Sequence, residues 1–442
     1  MRAVRGLKAL ELVEKSIAVP AAPRHRDLIR HIESATVLKL RAGEVPLRLA
    51  IAAIDDHKYL CEIGCLVGAE DEAAESTSIF SFRQRQVASA GDFNAVLIVP
   101  TGIGAEVGGH AGDATPAAQL LASCCDQLIT HPNVVNASDI NELPANALYV
   151  EGSVLSRLLM GTVGLASTRS NRIYVVFDSQ DDVMIENLVL NTVESARATY
   201  GLVCAGFHKL DPPLELNATL AASGRAVGTA RGLGRLFDLL DNASETYDAV
   251  AITSLIGVPE GLHQEYFNSD GDMINPWGGI EAMLTHAVSH RFNVPSAHAP
   301  MMESREILNE DPGRVDPRMA AEAISSSFLQ CVLKGLKRSP RIVTDPDRIL
   351  AGDILSAEDI DCLVTPAGCF GLPVLAALEQ GISVIAVNEG AGLRAGDLSD
   401  LPWRDHQFYV AENYWEAAGV LSALRTGIDP KSVRRPLKSE PL

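Results

Sequence analysis

Long apolar runs and basic residues are both scarce in this 442-residue sequence. No run reaches the roughly 18 consecutive apolar residues that mark a membrane-spanning helix, so we expect no membrane span. Lys and Arg number 37 against 56 Asp and Glu, which gives a formal net charge of −19. Because nucleic-acid binding requires a concentrated basic surface, we do not expect nucleic acid as a partner.

The eight cysteines are not clustered as they are in a disulfide-rich secreted domain. They lie in apolar segments, so we expect reduced thiols, with Cys61 and Cys65 packed in the core. The N-terminus is basic but is not followed by the apolar core and cleavage site of a signal peptide. These features predict a cytoplasmic protein.

Neither the P-loop nor the dinucleotide-binding spacing of glycines occurs in the glycine-rich segment at residues 223–235. This segment instead combines small residues with Arg225, Arg231 and Arg235. Guanidinium groups and free backbone N–H groups both favour oxyanions, so we interpret the segment as a loop that binds a phosphate or carboxylate. A flexible hinge between domains is the alternative.

Three short apolar runs are each followed by polar residues or glycine. They are residues 95–99, a second run that reaches Thr130, and residues 147–150. Such runs are typical of a parallel sheet whose strand ends carry a binding site. The candidate site residues after these runs are His110, His131, Asn133, Asn136, Glu151 and Ser153. Histidine titrates near neutral pH when unperturbed, so we expect His131, His110 and Glu151 to take part in acid/base chemistry.

The pattern as a whole predicts an α/β protein with two Rossmann-like parallel-sheet domains and a small β-rich N-terminal part. We place an N-terminal helix (broken at residues 20–23) and a β-rich unit in residues 1–90. The first α/β domain is predicted over 91–222, the second over 223–430, and a loose tail over 431–442. The β-rich unit is interpreted as a cap or dimerisation unit, so we expect a homo-oligomer. The active site is expected in the cleft between the two α/β domains.

A possible metal site begins in the predicted helix at residues 280–290. His286 and His290 are four residues apart and share a helix face, and His298 and Glu303 follow. Two imidazoles with a third or a carboxylate would suit zinc or another divalent metal. The alternative is that His290 only interacts with the dipole at the helix C-terminus. We predict no other cofactor.

The segment 366–388 resembles two families over about 30 residues. Its small-residue turn and following helix are similar to the sugar-nucleotide half of two-domain glycosyltransferases, where they hold the diphosphate. It also resembles the second cysteine segment of the aspartate racemase and arylmalonate decarboxylase superfamily. That resemblance implies that Cys369, next to Gly368, handles the substrate proton with a lowered pKa. A buried structural cysteine is the alternative, and a first cysteine is missing because Cys124 and Cys125 lie inside a predicted helix.

A broader resemblance covers the chain from about residue 95 onward. It is carried by GGHAGDATP at 108–116, THPNVVN at 130–136, YVEGS at 149–153, NPWGGIEAMLTH at 275–286 and PSAHAPMMES at 295–304. These segments resemble a family of cyanobacteria, plastids and other bacteria that has no assigned reaction. Some of its members carry a lipid-A-disaccharide-synthase-like label.

Our leading hypothesis is an enzyme of lyase, decarboxylase or isomerase type that acts on a small anionic metabolite, expected to be a carboxylate. His131, Glu151 or Cys369 would transfer protons, and the 223–235 loop would hold the anion. A glycosyltransferase-like enzyme using a nucleotide sugar is the second hypothesis. A metal-dependent hydrolase built on His286, His290 and His298 is the third, and a non-catalytic binding protein is the fourth.

Overall fold

A computed structural model of the chain describes residues 10–21, 27–54, 57–69, 78–86, 91–137, 139–302, 304, 313–389 and 397–437. The strands in chain order are β1 (Glu11–Pro20), β2 (Glu44–Ile54), β3 (Lys58–Val67), β4 (Asn94–Leu97), β5 (Gln127–Thr130), β6 (Asn136–Ala137), β7 (Ile140–Asn141), β8 (Ala147–Tyr149), β9 (Gly164–Ala166), β10 (Arg172–Asp178), β11 (Val203–Leu210), β12 (Glu215–Leu220), β13 (Ala226–Arg231), β14 (Ala249–Ser254), β15 (Ile256–Gly257), β16 (Ser296–Pro300), β17 (Arg341–Val343), β18 (Ile360–Pro366), β19 (Ser383–Val387) and β20 (Phe408–Ala411).

The α-helices in chain order are α1 (Leu28–Val37), α2 (Thr115–Ala122), α3 (Pro132–Val135), α4 (Gly152–Leu159), α5 (Val183–Tyr200), α6 (Leu233–Ala243), α7 (Leu262–Phe267), α8 (Gly278–Phe292), α9 (Ala320–Ala323), α10 (Leu329–Arg338), α11 (Pro346–Leu350), α12 (Leu372–Gln380), α13 (Tyr414–Arg425) and α14 (Pro430–Val433). None of the helices in the described ranges has both the length and the apolarity that a membrane span requires.

Two of the sheets are entirely parallel, which confirms the predicted α/β class. The larger has the strand order β20-β19-β18-β4-β5-β8, and the smaller has the order β11-β10-β14-β16. Strands β4 and β14 are buried along their whole length, as expected for parallel strands covered on both faces. Because parallel strands end on the same edge, their carboxyl ends bring distant segments together.

The third sheet has the order β15-β12-β13-β1-β3-β2 and is mostly antiparallel, in agreement with a β-rich N-terminal part. The helix predicted within residues 1–35 is wrong where the structure describes it before Pro20. Residues Glu11–Pro20 instead form strand β1, which pairs with β3 from end to end. Pairing with β3 therefore outweighs the local helical pattern. Both Cys61 and Cys65 are buried in β3, as predicted.

The sheets divide the chain differently from the predicted boundaries. The larger parallel sheet takes strands from residues 94–149 and again from 360–411, so the smaller sheet is inserted between them. The boundary predicted at 222/223 falls in the tight turn between β12 and β13, where the Ala221 N–H donates to the Arg225 carbonyl at 2.8 Å. Part of the predicted loose tail forms helix α14, and residues 438–442 lie outside the described ranges.

Strand β2 also contacts the larger parallel sheet directly. β2 is the edge strand of its sheet, and the Ile51 N–H on its outer side donates to the Phe370 carbonyl at 2.8 Å. Ala50 forms an isolated antiparallel bridge with Gly371 in the same turn. This contact fixes the N-terminal sheet against the segment that carries Cys369.

Candidate functional site

A cavity of about 700 Å³ lies where the carboxyl ends of the two parallel sheets face each other and the N-terminal sheet. Residues that follow β4, β5, β8, β14, β16 and β18 all line it. Helix α8 forms another wall and contributes Glu281, Thr285 and His286. The volume is in the range of cavities that bind small molecules.

Glu151 lies at this cavity and is only 3% exposed. It is the N-cap of helix α4, where its carboxylate accepts hydrogen bonds from the N–H of Ser153 at 3.0 Å and of Val154 at 3.3 Å. The Ser153 hydroxyl donates to the same carboxylate oxygen. A negative charge is favoured at a helix N-terminus, so the local sequence both positions and stabilises this carboxylate.

The other Glu151 oxygen, Oε1, accepts a hydrogen bond from Nδ1 of His286 and another from the Thr285 hydroxyl at 3.3 Å. Burial raises the pKa of Glu151, but the charge and hydrogen bond of His286 and the two hydrogen bonds from Ser153 outweigh burial and lower it. Glu151 is therefore a buried carboxylate at neutral pH. Because Nδ1 of His286 is engaged, Nε2 is the ring nitrogen that remains for a ligand.

His131 lines the same cavity. Its ring accepts a hydrogen bond from the protein, whereas the ring of His286 donates one. Its Nε2 accepts a hydrogen bond from the Val99 N–H at 3.0 Å, so the ring proton of the neutral form is on Nδ1. Burial lowers the pKa of His131 to about 4. The expectation that this histidine titrates near neutral pH is therefore wrong. A neutral Nδ1–H can still donate a hydrogen bond to an oxyanion.

Of the remaining candidate residues that follow β4 and β5, two line the cavity and one does not. Asn133 lines the cavity and donates to the carbonyls of Val99 at 2.9 Å and Gly108 at 3.0 Å, which holds the segment between β4 and α2 in place. Asn136 also lines the cavity and donates to the Tyr149 hydroxyl at 2.8 Å. His110 is 1% exposed and is not among the lining residues.

Gly368 and Cys369 both line the cavity, at the end of β18. The lowered pKa expected for Cys369 is wrong, because burial raises the pKa of this thiol to about 12. The physical reason is position: Cys369 precedes Gly371, the N-cap of α12, and lies outside its first turn. At neutral pH this thiol is protonated and does not act as a thiolate.

Most of the segment 223–235 is not a loop, because residues Ala226–Arg231 form strand β13. Arg225 lines the cavity and pairs with the buried carboxylate of Glu62. Arg231 pairs at the surface with Glu11 at 3.2 Å, and Arg235 donates to the carbonyls of Pro212 and Pro213 at 3.2 and 3.0 Å. Of the three arginines, only Arg225 is at the cavity. Arg48, which was not predicted, lies there with it and pairs with Glu14 at 3.0 Å.

The three histidines of the predicted metal site do not form a metal-binding group. Both ring nitrogens of His298 are engaged, Nε2 with the Ser254 hydroxyl at 2.7 Å and Nδ1 with Glu281 at 3.1 Å. His286 binds Glu151, and His290 is not a lining residue. Within the described residues no cluster of three or more His, Cys, Asp and Glu side chains could hold a metal ion. Glu303 lies outside those residues.

The Ser254–His298–Glu281 series has the order of a hydrolase triad. Ser254 is fully buried and is not a cavity-lining residue, so its hydroxyl is not offered to a ligand. Glu281 is the member that lines the cavity, with a side chain 23% exposed. The series therefore orients Glu281 and does not supply a nucleophile.

Besides Arg48, several polar cavity residues were not predicted from the sequence, among them Thr285, Glu281, Glu322 and Asn275. Thr285 and Glu281 share helix α8 with His286, and this helix spacing was a usable signal. Glu322 lies in short helix α9 and accepts a hydrogen bond from the Ala111 N–H at 2.7 Å. Burial raises the pKa of Glu322 to about 7. Nothing in its local sequence indicates this.

Comparison with known proteins gives a family but no reaction. The chain is 33% identical over 344 residues to an uncharacterized lipoprotein of Synechococcus sp., which covers 77% of this chain and 92% of that protein. No solved structure matches. Residues 94–434 match a family model described as a protein of unknown function, DUF3326. This agrees with the predicted resemblance to an uncharacterised family of cyanobacteria and other bacteria, and the chain belongs to the DUF3326 family.

Proposed function

We propose that this protein is an enzyme that transfers protons on a small anionic metabolite, most simply a carboxylate, inside the 700 Å³ cavity. The observation that supports this most directly is the buried Glu151–His286 pair at the cavity wall. A carboxylate that fixes Nδ1 of an imidazole leaves Nε2 able to take and return a proton. Lyase, decarboxylase and isomerase reactions all use such a step.

The roles follow from the hydrogen bonds. His286 would remove a proton from the substrate carbon at Nε2, and Glu151 would stabilise the imidazolium that results. The negative charge left on the substrate would develop at a carbonyl or carboxylate oxygen. His131, neutral and carrying its proton on Nδ1, would donate a hydrogen bond to that oxygen.

Two guanidinium groups support an anionic substrate. Arg48 and Arg225 both line the cavity, on the side formed by the N-terminal sheet. Their partners Glu14 and Glu62 hold them in place, so little side-chain entropy would be lost when a ligand carboxylate binds. Cys369 lies on the cavity wall near Arg225, as a protonated thiol.

Deuterium exchange tests the proposal without knowledge of the full reaction. The purified chain is incubated in deuterated water with a panel of small mono- and dicarboxylates and 2-oxo acids, and NMR follows deuterium at the carbons next to the carbonyl. We expect exchange with at least one compound, and loss of that exchange in His286→Gln. The control is His208→Gln, which makes the same change at an exposed histidine of β11. Absence of exchange across the panel, or equal exchange in both variants, would contradict proton transfer by His286.

A glycosyltransferase-like function is the second candidate, because residues 368–371 of the predicted diphosphate turn line the cavity and lead into α12. The N–H groups of a helix N-terminus favour a diphosphate. Thermal shift measurements with UDP and UDP-glucose test this candidate. Saturable stabilisation by both, with no deuterium exchange on carboxylates, would replace the first proposal with the second.

Three further expectations remain proposals with direct tests. Cell fractionation checks the cytoplasmic location, since the Synechococcus relative is named a lipoprotein. Light scattering coupled to gel filtration checks the homo-oligomer. Metal analysis of the purified chain, with His298→Gln as the comparison, checks the divalent metal that a hydrolase would use.

A further inference from the structure

Helix α8 presents two rows of side chains to the cavity, each with the four-residue spacing that places side chains on one helix face. One row is Trp277, Glu281 and Thr285, and the other is Gly278, Ala282 and His286. The helix rise of about 1.5 Å per residue puts Trp277 about 13 Å from His286 along the axis. The cavity therefore extends well beyond the Glu151–His286 pair, toward the N-terminal end of α8.

Three aromatic rings line this end of the cavity. His263 and Phe267 are one turn apart on α7, with ring centroids 5.1 Å from each other, and the Trp277 ring lies 5.8 Å from that of His263. The faces of Trp and Phe rings attract cations. The cation–π contacts found among the described residues lie elsewhere, on the rings of Phe292 and Tyr200. The cavity rings therefore have none of these protein cations against them.

Glu281 places a carboxylate beside these rings. It follows Trp277 by one helical turn, and the Glu281 N–H donates to the Trp277 carbonyl at 3.2 Å. Its Oε1 accepts a hydrogen bond from Nδ1 of His298 at 3.1 Å. Within the described ranges Oε2 has no hydrogen-bond or ion-pair partner, and it is not among the sealed polar atoms of the interior. With the side chain 23% exposed, this oxygen is available to a ligand in the cavity.

A carboxylate oxygen next to aromatic ring faces is suited to an ammonium group, which gains a charge-assisted hydrogen bond from the first and a cation–π contact from the second. An uncharged apolar group is the other possible neighbour of three rings. The free oxygen of Glu281 disfavours it, because an apolar group there would remove water from a charge without pairing it.

The positive groups of the cavity reach the same turn of α8. Arg48 donates to the Gly279 carbonyl at 3.4 Å, and it lines the cavity together with Arg225. Among the described residues neither arginine forms an ion pair with Glu281, because their carboxylate partners are Glu14 and Glu62. Groups of opposite charge therefore lie at neighbouring places of one cavity, as the two charged groups of an amino acid require.

We propose that Glu281, Trp277, Phe267 and His263 form an ammonium pocket, so that the substrate is an amino acid or a related zwitterion. This inference rests on the anionic substrate proposed above and adds a second, positive group to it. The carboxylate of the ligand would lie at the arginines and its ammonium group at Oε2 of Glu281.

Calorimetric titration of the purified chain with matched ligands tests this inference. Each series contains an acid without an amine, the corresponding amino acid and its trimethylammonium form. The pairs of acid and amino acid are propionate with alanine, butyrate with γ-aminobutyrate, and hexanoate with ε-aminohexanoate. In at least one series we expect a form that carries the positive group to bind about tenfold or more tightly than the plain acid, because a hydrogen bond to a charged group has that effect.

Two variants with matched controls assign the preference to the pocket. Glu281→Gln removes the charge but keeps an oxygen that accepts from His298, and it should reduce the preference about tenfold. Glu265→Gln, at an exposed position of α7, should keep the preference. Trp277→Leu should weaken binding of the trimethylammonium forms, whereas Trp415→Leu, at a position 77% exposed, should not.

The titrations and the deuterium exchange fail independently. No binding, equal affinity for acids and their amino forms in every series, or a preference that survives Glu281→Gln would overturn the ammonium pocket. Such a result would leave proton transfer by His286 standing if simple carboxylates exchange deuterium. Preferential binding of amino acids without any exchange would support the pocket and count against the proton transfer.

Discussion

Replacing Glu322 by Gln should change the pH dependence of stability in a direction that follows from its burial. The pKa of Glu322 is about 7 in the folded chain, compared with 4.5 as its ordinary value. A raised pKa means that the folded state keeps the proton to higher pH than the unfolded state. The free energy of unfolding therefore falls as pH rises between 4.5 and about 7, and levels off above that range.

The magnitude comes from the difference between the two pKa values. Each pH unit of difference corresponds to about 1.4 kcal/mol, so the whole contribution of Glu322 is about 3 kcal/mol. The amide introduced by Glu322→Gln would not titrate and would keep the neutral hydrogen-bonding form at every pH. Relative to the native chain, this variant should therefore gain about 3 kcal/mol of unfolding free energy between about pH 4.5 and pH 8.

Urea unfolding at a series of pH values measures this difference. Trp277, whose ring centroid lies 5.2 Å from that of Tyr266, provides a fluorescence signal beside the site, and circular dichroism provides a global one. Subtracting the native values removes every other titration that the two proteins share. The control is Glu265→Gln, the same change at an exposed position of α7. A stability difference that is constant with pH would show that Glu322 is ionised like an ordinary glutamate and would refute the reasoning.

Three other predictions concern His286, Gly152 and Cys369, which line the same cavity. His286→Gln removes the hydrogen bond that Nδ1 of His286 donates to the buried Glu151 carboxylate and should lower the unfolding free energy in urea by about 1–3 kcal/mol, whereas His208→Gln should leave it unchanged. Gly152→Ala places a Cβ 3.2 Å from Cε1 of His286, so the imidazole must move by a few tenths of an ångström; imidazole NMR signals that do not shift would contradict this contact. Cys369, with a pKa of about 12, should resist iodoacetamide in the native chain while the half-buried Cys124 reacts; peptide mapping that finds both labelled equally would argue against a protonated buried thiol.

The sequence was informative wherever a side chain follows directly after a buried strand. Glu151 and His131 were predicted for this reason, and both lie at the cavity. Their protonation could not be predicted, because it depends on burial by elements far away in the chain. His131 is neutral because burial lowers its pKa, and it can donate from Nδ1 because its Nε2 accepts the Val99 N–H. Cys369 is not a thiolate for the related reason that its burial outweighs the effect of the nearby Arg225 and raises the pKa of the thiol to about 12.

Residues without a local pattern were not predictable in this way. Glu322 and Arg48 reach the cavity from a short helix and from the N-terminal sheet, and only the tertiary arrangement puts them there. The glycine-rich run at 223–235 misled because glycine and arginine suggest a loop. In the structure, Gly228 lies within β13. A side chain does not fit there, because a Cβ would come 2.4 Å from the Asn217 carbonyl oxygen and 2.7 Å from Cβ of Ile280. Close packing, and not flexibility, explains that glycine.

The hydrogen bond from the Ile51 N–H to the Phe370 carbonyl joins a strand outside the family match to a segment inside it. Strand β2 lies before residue 94, where the family match starts. It nevertheless supplies part of the cavity wall and is hydrogen-bonded to the turn after β18. A truncated protein that begins at residue 94 would keep Glu151, His286 and Glu322 but would open this flank to water and remove Arg48. The strands before residue 94 therefore determine part of the shape and charge of the cavity that the family-matched residues line.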